Sequence, residues 1–158
     1  MTIEPAQIDS TQCTRQDTIK LASLSTAKLN EEETRCAIAA RLFMWEHNVV
    51  QPAARQHLGE PVAEILHFGS YSCRTIRGSS ATSEHATANA FDISGFRLSS
   101  GKLVSLKQQW QGSQPEAEFL KEVRDGACDY FNVVLSPDYN ADHHDHLHVD
   151  MGWYRTCR

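Results

Sequence analysis

Hydrophobic and polar residues alternate near the C-terminal end of the chain. From His146 to Met151 the order is His, Leu, His, Val, Asp, Met, which is the period-two pattern of a half-buried strand. The apolar members would face the core, and His146, His148 and Asp150 would share the opposite face. A plain solvent-facing strand seldom needs two histidines and an aspartate on one side, so the pattern indicates a polar face with a chemical role.

A second stretch shows the same alternation. Phe91 and Ile93 alternate with Asp92 and Ser94, so Asp92 should project from the polar face of a strand whose other face belongs to the core. His85 lies seven residues before Asp92. Two predicted strands therefore present ligand-type residues toward one cleft.

The N-terminal third divides into a polar part and a helical part. Residues 1–29 are polar with little periodicity, and we expect an extended or partly disordered arm. Asn30 is a good N-cap and three glutamates follow it, so we expect a helix from Asn30 onward. Pro52 should interrupt this helix, and a short second helix should end at Gly59.

The remaining elements alternate between strands and helices. We expect a hairpin turn over residues 99–102 and a capping box over residues 113–116 that opens a helix with Leu120, Val123 and Ala127 on its buried side. Three further strands are predicted, over Val62–Phe68, Leu103–Leu106 and Asn132–Leu135.

Composition and charge exclude several classes of function. A chain of 158 residues with 41% hydrophobic and 22% charged residues is typical of one globular domain. A net charge of −5 offers no broad basic surface, so nucleic acid is a poor partner. No run of 18 apolar residues is present, so no membrane span is expected.

The cysteines and the N-terminus indicate different cellular compartments. Five cysteines are many for a reducing compartment, so we expect at least one disulfide and, because five is odd, at least one free thiol. The first ten residues lack the basic start and apolar segment of a signal peptide. Either a leader was removed, or the protein reaches the periplasm or the extracellular space by a specialised route, as an injected toxin or a phage lysin would.

The histidines and aspartates of the two alternating stretches are residue types that bind metal ions. Catalytic zinc sites commonly use three protein ligands, with water in the fourth position. His85, Asp92 and one histidine of the tail would supply such a set. A histidine and an aspartate seven residues apart occur often by chance in polar loops, and the tail is what favours a metal site.

Three ordered segments resemble one known family. They are Gly69–Arg74 (GSYSCR), Ser83–Asp92 (SEHATANAFD) and Asp145–His148 (DHLH). Together they resemble the extensin-like C-terminal domain family of bacterial proteins, which is similar to the zinc peptidases grouped as lysostaphin, D-Ala-D-Ala peptidases and hedgehog. The resemblance extends from Cys36 to the C-terminus. Ala88 stands where many members of the broader group carry glycine, while the spacing of the ligands is kept.

The resemblance implies a fold and a cofactor. Residues 30–158 would form a single α+β domain, with a small, mostly antiparallel sheet, helices packed on one side and a zinc cleft on the other. Cys73 and Cys128 recur in the resembling motifs and are favoured as disulfide partners. The implied ligands of Zn²⁺ are His85, Asp92 and His148.

The resemblance also implies catalytic roles in the tail. Asp145, three residues before the last ligand, sits where related peptidases place an acidic base, so it is our first choice for the general base. His146 would stabilise the transition state or transfer protons, with a fourth metal ligand as its alternative role. His143 and His144 would lie at the rim or in a flexible tail, and Asp150 would orient a ligand histidine.

Arg74 and Ser83 are the candidate substrate-binding residues. In the broader group an arginine before the metal motif is associated with the carboxylate of the substrate, and Arg74 is the closest match, with Arg77 second. A guanidinium gives a carboxylate two parallel hydrogen bonds, although a surface arginine is the alternative. Ser83 would either bind the substrate backbone or cap the turn before His85.

The resemblance predicts a zinc-dependent hydrolase that cuts peptidoglycan stems or crosslinks next to D-amino acids. Endopeptidase and carboxypeptidase activities both remain open. The alternative is a zinc-containing cell-wall binding module without turnover. A structural wall protein, which the family's name suggests, finds no Pro-rich repeats here. If the chain is an exported antibacterial toxin, its producer would need an immunity protein as a partner.

Overall fold

A computed structural model describes residues 2–158. Strands and helices are mixed along the chain, and two single-turn 3₁₀ helices lie at residues 84–87 and 141–143. The helices are α1 (Cys36–Trp45), α2 (Gln51–Leu58), α3 (Leu106–Gln109) and α4 (Pro115–Ala127), with a π-helical segment at Glu46–Val50 between the first two. The strands are β1 (Gln7–Ile8), β2 (Thr14–Arg15), β3 (Thr18–Ser23), β4 (Lys28–Arg35), β5 (Val62–Gly69), β6 (Ala90–Leu98), β7 (Leu103–Ser105), β8 (Val133–Leu135), β9 (Leu147–Asp150) and β10 (Thr156–Cys157).

One large sheet organises the molecule. Its strand order is β10-β8-β9-β6-β5-β4-β3, and β7 pairs with β6 beside this path. All neighbours are antiparallel except the pairs β10–β8 and β4–β5. Strands β1 and β2 form a separate two-stranded sheet. The predicted α+β class with a mostly antiparallel sheet is confirmed.

The pairing of β6 with β9 sets the position of the polar residues. In this ladder Asp92 is opposite His148, and Ala90 is opposite Asp150. Residues directly opposite each other on antiparallel strands project to the same face. The register therefore brings Asp92 and His148 side by side, as the two alternating patterns predict.

An aromatic cluster joins the helices to the sheet. The ring centroid of Trp45 lies 6.3 Å from those of Phe96 and Phe131, and Phe96 lies 5.1 Å from Phe119. All four side chains are buried, and the Trp45 indole donates a hydrogen bond to the Val123 carbonyl at 3.0 Å. Burying one such side chain stabilises a fold by about 1.5–3 kcal/mol, so this cluster fixes α1 and α4 against β6.

The N-terminal residues form strands of the two sheets, in agreement with the extended alternative for this arm. Strand β3 pairs with β4 in antiparallel register, and its Ile19 and Leu21 side chains are buried in the core. Ile3 forms an isolated bridge with Ile19. The short alternation around Ile19 is too brief to stand out in a polar segment.

The prediction that a helix begins at Asn30 is wrong. Residues 28–35 form β4, and the helix begins only at Cys36. Glu33 accepts hydrogen bonds from Arg15 at 2.9 Å and Thr18 at 2.7 Å, while Glu32 accepts from the Ser70 backbone N–H at 2.9 Å. These glutamates pair with distant strands instead of a helix N-terminus, which the local pattern cannot show.

Two helix-boundary predictions differ in outcome. Gly59 ends α2 with a positive φ of 74°, as predicted. Pro52 does not interrupt the helix, because it lies in the first turn of α2, where its missing N–H costs little.

The capping box predicted over residues 113–116 is wrong. Helix α4 begins after Gln114, and no side-chain hydrogen bond caps it.

The other predicted elements are confirmed within small shifts. The strand from Val62, the hairpin turn with Gly101, the helix α4 and the strand β8 are all present, and Leu106 begins α3 instead of ending β7. Within residues 2–158, no helix has both the length and the apolar character that crossing a bilayer requires.

Two disulfides tie distant segments together. Cys13 is bonded to Cys73 across 60 residues, and Cys128 to Cys157 across 29, leaving Cys36 as a free thiol. The predicted participation of Cys73 and Cys128 and the predicted odd thiol are confirmed. Loop-closure entropy alone assigns about 4 and about 3.5 kcal/mol to cross-links of these spans.

Candidate metal centre

Three residues predicted as ligands meet at one point. His85 lies on the 3₁₀ turn before β6, Asp92 on β6 and His148 on β9. The His85 Nε2 atom is 3.2 Å from both His148 Nδ1 and Asp92 Oδ2. His148 Nδ1 is 2.9 Å from Asp92 Oδ1. The structure therefore brings together one donor atom from each of the three side chains.

The turn that carries His85 is held at both ends. At its start, the Ser83 hydroxyl accepts a hydrogen bond from the His85 N–H at 3.3 Å. At its end, Ala88 adopts a φ of 54°, in the left-handed region that favours glycine. The Ala88 carbonyl accepts from the Arg35 N–H at 3.0 Å, so surrounding structure maintains this backbone conformation without a glycine.

The outer nitrogen of each histidine has an acceptor. His85 Nδ1 lies 2.7 Å from the Ser70 carbonyl oxygen, and His148 Nε2 lies 2.9 Å from the Asp150 carboxylate. A carbonyl and a carboxylate only accept, so each of these nitrogens carries the proton. The inward nitrogens, His85 Nε2 and His148 Nδ1, are then free to present lone pairs. Such outer partners orient metal-binding histidines in proteins, and Asp150 has the predicted orienting position.

The inward atoms fit a small divalent cation. Two nitrogen lone pairs and a carboxylate converge at separations of 2.9–3.2 Å, which is unfavourable without a positive charge among them. Ligands at about 2.0–2.1 Å from a tetrahedral zinc ion lie about 3.3 Å apart. The donor set of two imidazoles and a carboxylate is one that zinc uses. The residues present thus match zinc in chemistry and in spacing.

Electrostatics at the three residues also favours one positive charge. Burial raises the pKa of Asp92, but hydrogen bonds from His148 and His85 outweigh this and hold the pKa well below its usual range. Burial lowers the pKa of His148, but hydrogen bonds to Asp150 and Asp92 raise it to about 9. A proton on His148 and a metal ion would therefore compete for the same nitrogen.

Asp145 and His146 form a hydrogen-bonded pair beside this group. Asp145 Oδ1 lies 2.9 Å from His146 Nδ1, and His146 Nε2 lies 3.7 Å from Asp92 Oδ1. Burial raises the pKa of Asp145, but the hydrogen bond from His146 and the charges of His144 and His146 together lower it below its usual value, so the carboxylate stays ionised. His146 lines the cleft above the three ligand residues, whereas Asp145 lies behind it. Of these two residues, only His146 lines the cleft.

A cleft of about 890 Å³ opens above the centre. One wall is the loop of residues 74–84, and the other comes from residues 139–143 and 153–156. Asp92, His146 and His148 lie at its floor. The volume is within the range of small-molecule and peptide sites, about 300–1,000 Å³.

The predicted substrate-binding residues lie in this cleft with different partners. Arg74 is exposed and lines the cleft, and no side-chain partner engages it among residues 2–158. Arg77 donates to Asp142 at 2.9 Å, bridging the two walls. Ser83 is buried and caps the turn before His85, although it also lines the cleft. Arg74 is therefore the arginine available to an anionic ligand.

The other histidines divide into one at the cleft and several outside it. The His143 ring centroid is 5.0 Å from that of His146, and burial lowers the His143 pKa to about 4, which keeps the ring neutral. His144 points to solvent with 60% of its side chain exposed. His57 pairs with Glu122 and His67 contacts the Asn30 carbonyl, so both belong to the scaffold. His47 is exposed on the surface.

Two features of the site were not foreseen. The Ser70 carbonyl orients His85, and a backbone acceptor leaves no signal in the sequence. Trp153 and Tyr154 line the cleft although both are exposed. An aromatic pair directly after the polar strand face is a signal that could have identified them.

The family match covers the whole chain. The sequence profile described as "Extensin-like protein C-terminus" matches residues 1–158. It includes β1, β2 and β3, which lie before Cys36, where the resemblance drawn from the motifs begins. No curated protein and no solved structure matches the sequence. The chain belongs to the extensin-like protein C-terminus family.

Proposed function

We propose that this protein is a zinc-dependent peptidase that hydrolyses peptidoglycan stems or crosslinks next to D-amino acids. The observation that carries the proposal is the convergence of His85, Asp92 and His148 at 2.9–3.2 Å on the floor of an open cleft. Structural zinc sites usually have four protein ligands, whereas catalytic sites keep one position for water or substrate. The preference for peptidoglycan rests on the similarity of the motifs to the lysostaphin, D-Ala-D-Ala peptidase and hedgehog group.

His85, Asp92 and His148 would hold the metal. Bound zinc would supply Lewis acidity toward the scissile carbonyl and would lower the pKa of the attacking water. Ser70 and Asp150 fix the two imidazole rings from outside, so that the lone pairs are directed before the metal arrives.

His146 is the proposed proton acceptor, with Asp145 as its positioning residue. The expectation from the sequence favoured Asp145 as the base, but Asp145 accepts a hydrogen bond from His146 Nδ1 and lies behind it. His146 Nε2 faces the centre and can accept the proton of the attacking water. The charge that then forms on the imidazole is stabilised by the Asp145 carboxylate, and the same proton can pass to the leaving amine.

Arg74 is the proposed anchor for a carboxylate of the substrate. It lies in the same cleft as the metal centre, and the neighbouring Arg77 is already paired with Asp142. A guanidinium can bind a carboxylate through two parallel hydrogen bonds. The Ser83 hydroxyl lies on the same wall, where it supports His85 and borders the substrate.

The two disulfides support a periplasmic or extracellular place of action, because such bonds persist in oxidising compartments. Delivery as an antibacterial toxin, with an immunity protein in the producer, is compatible with that location and remains part of the proposal.

Digestion of purified peptidoglycan tests the function. Protein loaded with zinc should release muropeptides whose masses show one hydrolysed peptide bond, and a chelator should stop the release until zinc is restored. His148→Ala serves as the metal-deficient control, and His47→Ala, at an exposed histidine outside the cleft, serves as the matched control. If folded, zinc-loaded protein sediments with peptidoglycan and leaves every mass unchanged, a wall-binding module without turnover replaces the peptidase.

A further inference from the structure

Trp153 and Tyr154 are displayed to solvent at the edge of the cleft. Trp153 is 98% exposed and Tyr154 is 82% exposed, whereas Trp45 and Trp110 are buried. Large aromatic side chains stabilise a fold through the area that they bury. An exposed Trp-Tyr pair contributes little to this fold through burial, so its rings are available to a ligand.

The segment that carries the pair is fixed at both ends. The Gly152 N–H donates to Asp150 Oδ1 at 2.8 Å, and the Gly152 carbonyl accepts from the Asn132 side chain at 2.7 Å. Thr156 donates its N–H to the Asn132 carbonyl at 2.9 Å, and Cys157 is bonded to Cys128. The pair is therefore preorganised, which reduces the entropy lost when a ligand binds.

The pair is also coupled to the metal centre. Asp150 accepts from Gly152 through Oδ1 and from His148 through Oδ2. One carboxylate thus sets both the orientation of a proposed metal ligand and the start of the aromatic segment. Trp153 and His148 line the same cleft, so a ligand lying on the aromatic rings continues directly to the centre.

We propose that Trp153 and Tyr154 form a saccharide-binding wall, so that the substrate is a peptide still attached to its glycan. This inference rests on the proposed peptidase function. The cleft beside the pair also presents the hydrogen-bonding side chains of Glu84 and Asn140. A pyranose ring suits such a wall, because its C–H face stacks on a flat aromatic ring while its hydroxyls meet polar groups at the edge.

A titration with chitotetraose, which contains no peptide bond, tests the wall without hydrolysis. Calorimetry on the full chain should show binding by the wild type, about a tenfold weaker affinity for Trp153→Ala, as expected for a single interface tryptophan, and a smaller loss for Tyr154→Ala. Phe43→Ala is the matched control, because Phe43 is 48% exposed on α1 and lies outside the cleft. Wild-type affinity in Trp153→Ala, or no binding by the wild type, overturns the inference.

A second measurement separates this inference from the peptidase proposal. The ratio of kcat/KM on a glycan-attached peptide to kcat/KM on the same free peptide should fall about tenfold in Trp153→Ala and stay constant in Phe43→Ala. An unchanged ratio in Trp153→Ala means that the wall binds peptide and overturns the inference. If the wild type cuts neither substrate, the peptidase proposal fails while the titration still decides the saccharide site. Trp153-dependent sedimentation with anionic vesicles, without chitotetraose binding, would assign the pair to membranes instead.

Discussion

The floor and the walls of the cleft are built in different ways. On the floor, Asp92 and His148 belong to paired strands, and each is held by hydrogen bonds to buried partners. On the wall, Arg74 lies in an exposed loop whose links include the Cys13–Cys73 disulfide. Sites on strands are more precise than sites on loops. The comparison indicates that the sheet fixes the geometry of the three candidate ligands, whereas the residues proposed for recognition lie on loops.

Removing a ligand from the floor should have the largest effect. His148→Ala deletes one of three donors, so zinc affinity and hydrolysis should fall together by more than the roughly 100-fold typical of outer partners. Metal analysis after dialysis and rates on one stem peptide measure both. His47→Ala, which alters an exposed histidine outside the cleft, should keep both properties. A His148→Ala protein that retains stoichiometric zinc would remove His148 from the ligand set.

The proton-transfer pair should affect rate without affecting metal content. His146→Ala should retain zinc and lose about 10²–10⁴-fold in kcat, the range of a positioned general base. Asp145→Asn should lose less, about 10–100-fold, because it only orients the imidazole. The reverse order, with Asp145→Asn inactive and His146→Ala active, would return the base role to Asp145.

The pH dependence of stability should differ between the chelator-treated and the zinc-loaded protein. The folded-state pKa of His148 is raised from 6.5 to about 9, so its protonated form stabilises the chelator-treated protein fully below pH 6.5. That contribution is lost as the pH rises through 9. Zinc needs the deprotonated nitrogen, so its affinity should rise over the same interval. Urea titrations at pH 6.5 and 9, with and without chelator, measure the two trends. If the free energy of unfolding changed with pH in the same way in both samples, the proton and the zinc ion would not compete for one nitrogen of His148.

The two wall arginines should be distinguishable. Arg74→Ala should raise KM about tenfold or more on a substrate with a free carboxylate, because charge-assisted hydrogen bonds contribute about 1.5–3 kcal/mol. Arg77→Ala removes an exposed pair with Asp142, and such pairs contribute about 0–1 kcal/mol. Steady-state kinetics on one defined peptide compares them, and a larger KM effect from Arg77→Ala would exchange their roles.

The smallest effect is expected at the turn below His85. Ala88→Gly removes left-handed strain of about 1–2 kcal/mol, but it adds about 0.5–1 kcal/mol of backbone entropy to the unfolded chain. The free energy of unfolding should therefore rise by about 1 kcal/mol or less, with zinc binding unchanged. Denaturant titration checks this, and a clear destabilisation would show that the alanine methyl contributes packing that outweighs the strain.

The residues on the floor of the cleft could be predicted from the sequence better than those on its walls, for a physical reason. The alternation at Asp92 and at His148 is local, and it fixes which side chains share a face before any partner strand is known. Glu32 and Glu33 gave a misleading helix signal because their partners, Ser70 and Arg15, are distant in the chain. Such local patterns also do not predict the direction in which a side chain points.

The roles of Asp145 and His146 show this limit most clearly. Both are catalytic candidates because the resemblance of the Asp145–His148 segment to related peptidases implies such roles. Which of them faces the centre depends on a hydrogen bond between the two side chains. Spacing along a strand does not determine that geometry.

The two disulfides tether the walls of the cleft and not its floor. Cys73 lies next to Arg74, and Cys157 closes the segment that displays Trp153. The ladder between β6 and β9 contains no cysteine, so Asp92 and His148 keep their partners whether or not the cysteines are oxidised. A change in the redox state of the surroundings would therefore act on the two walls before it acts on the floor.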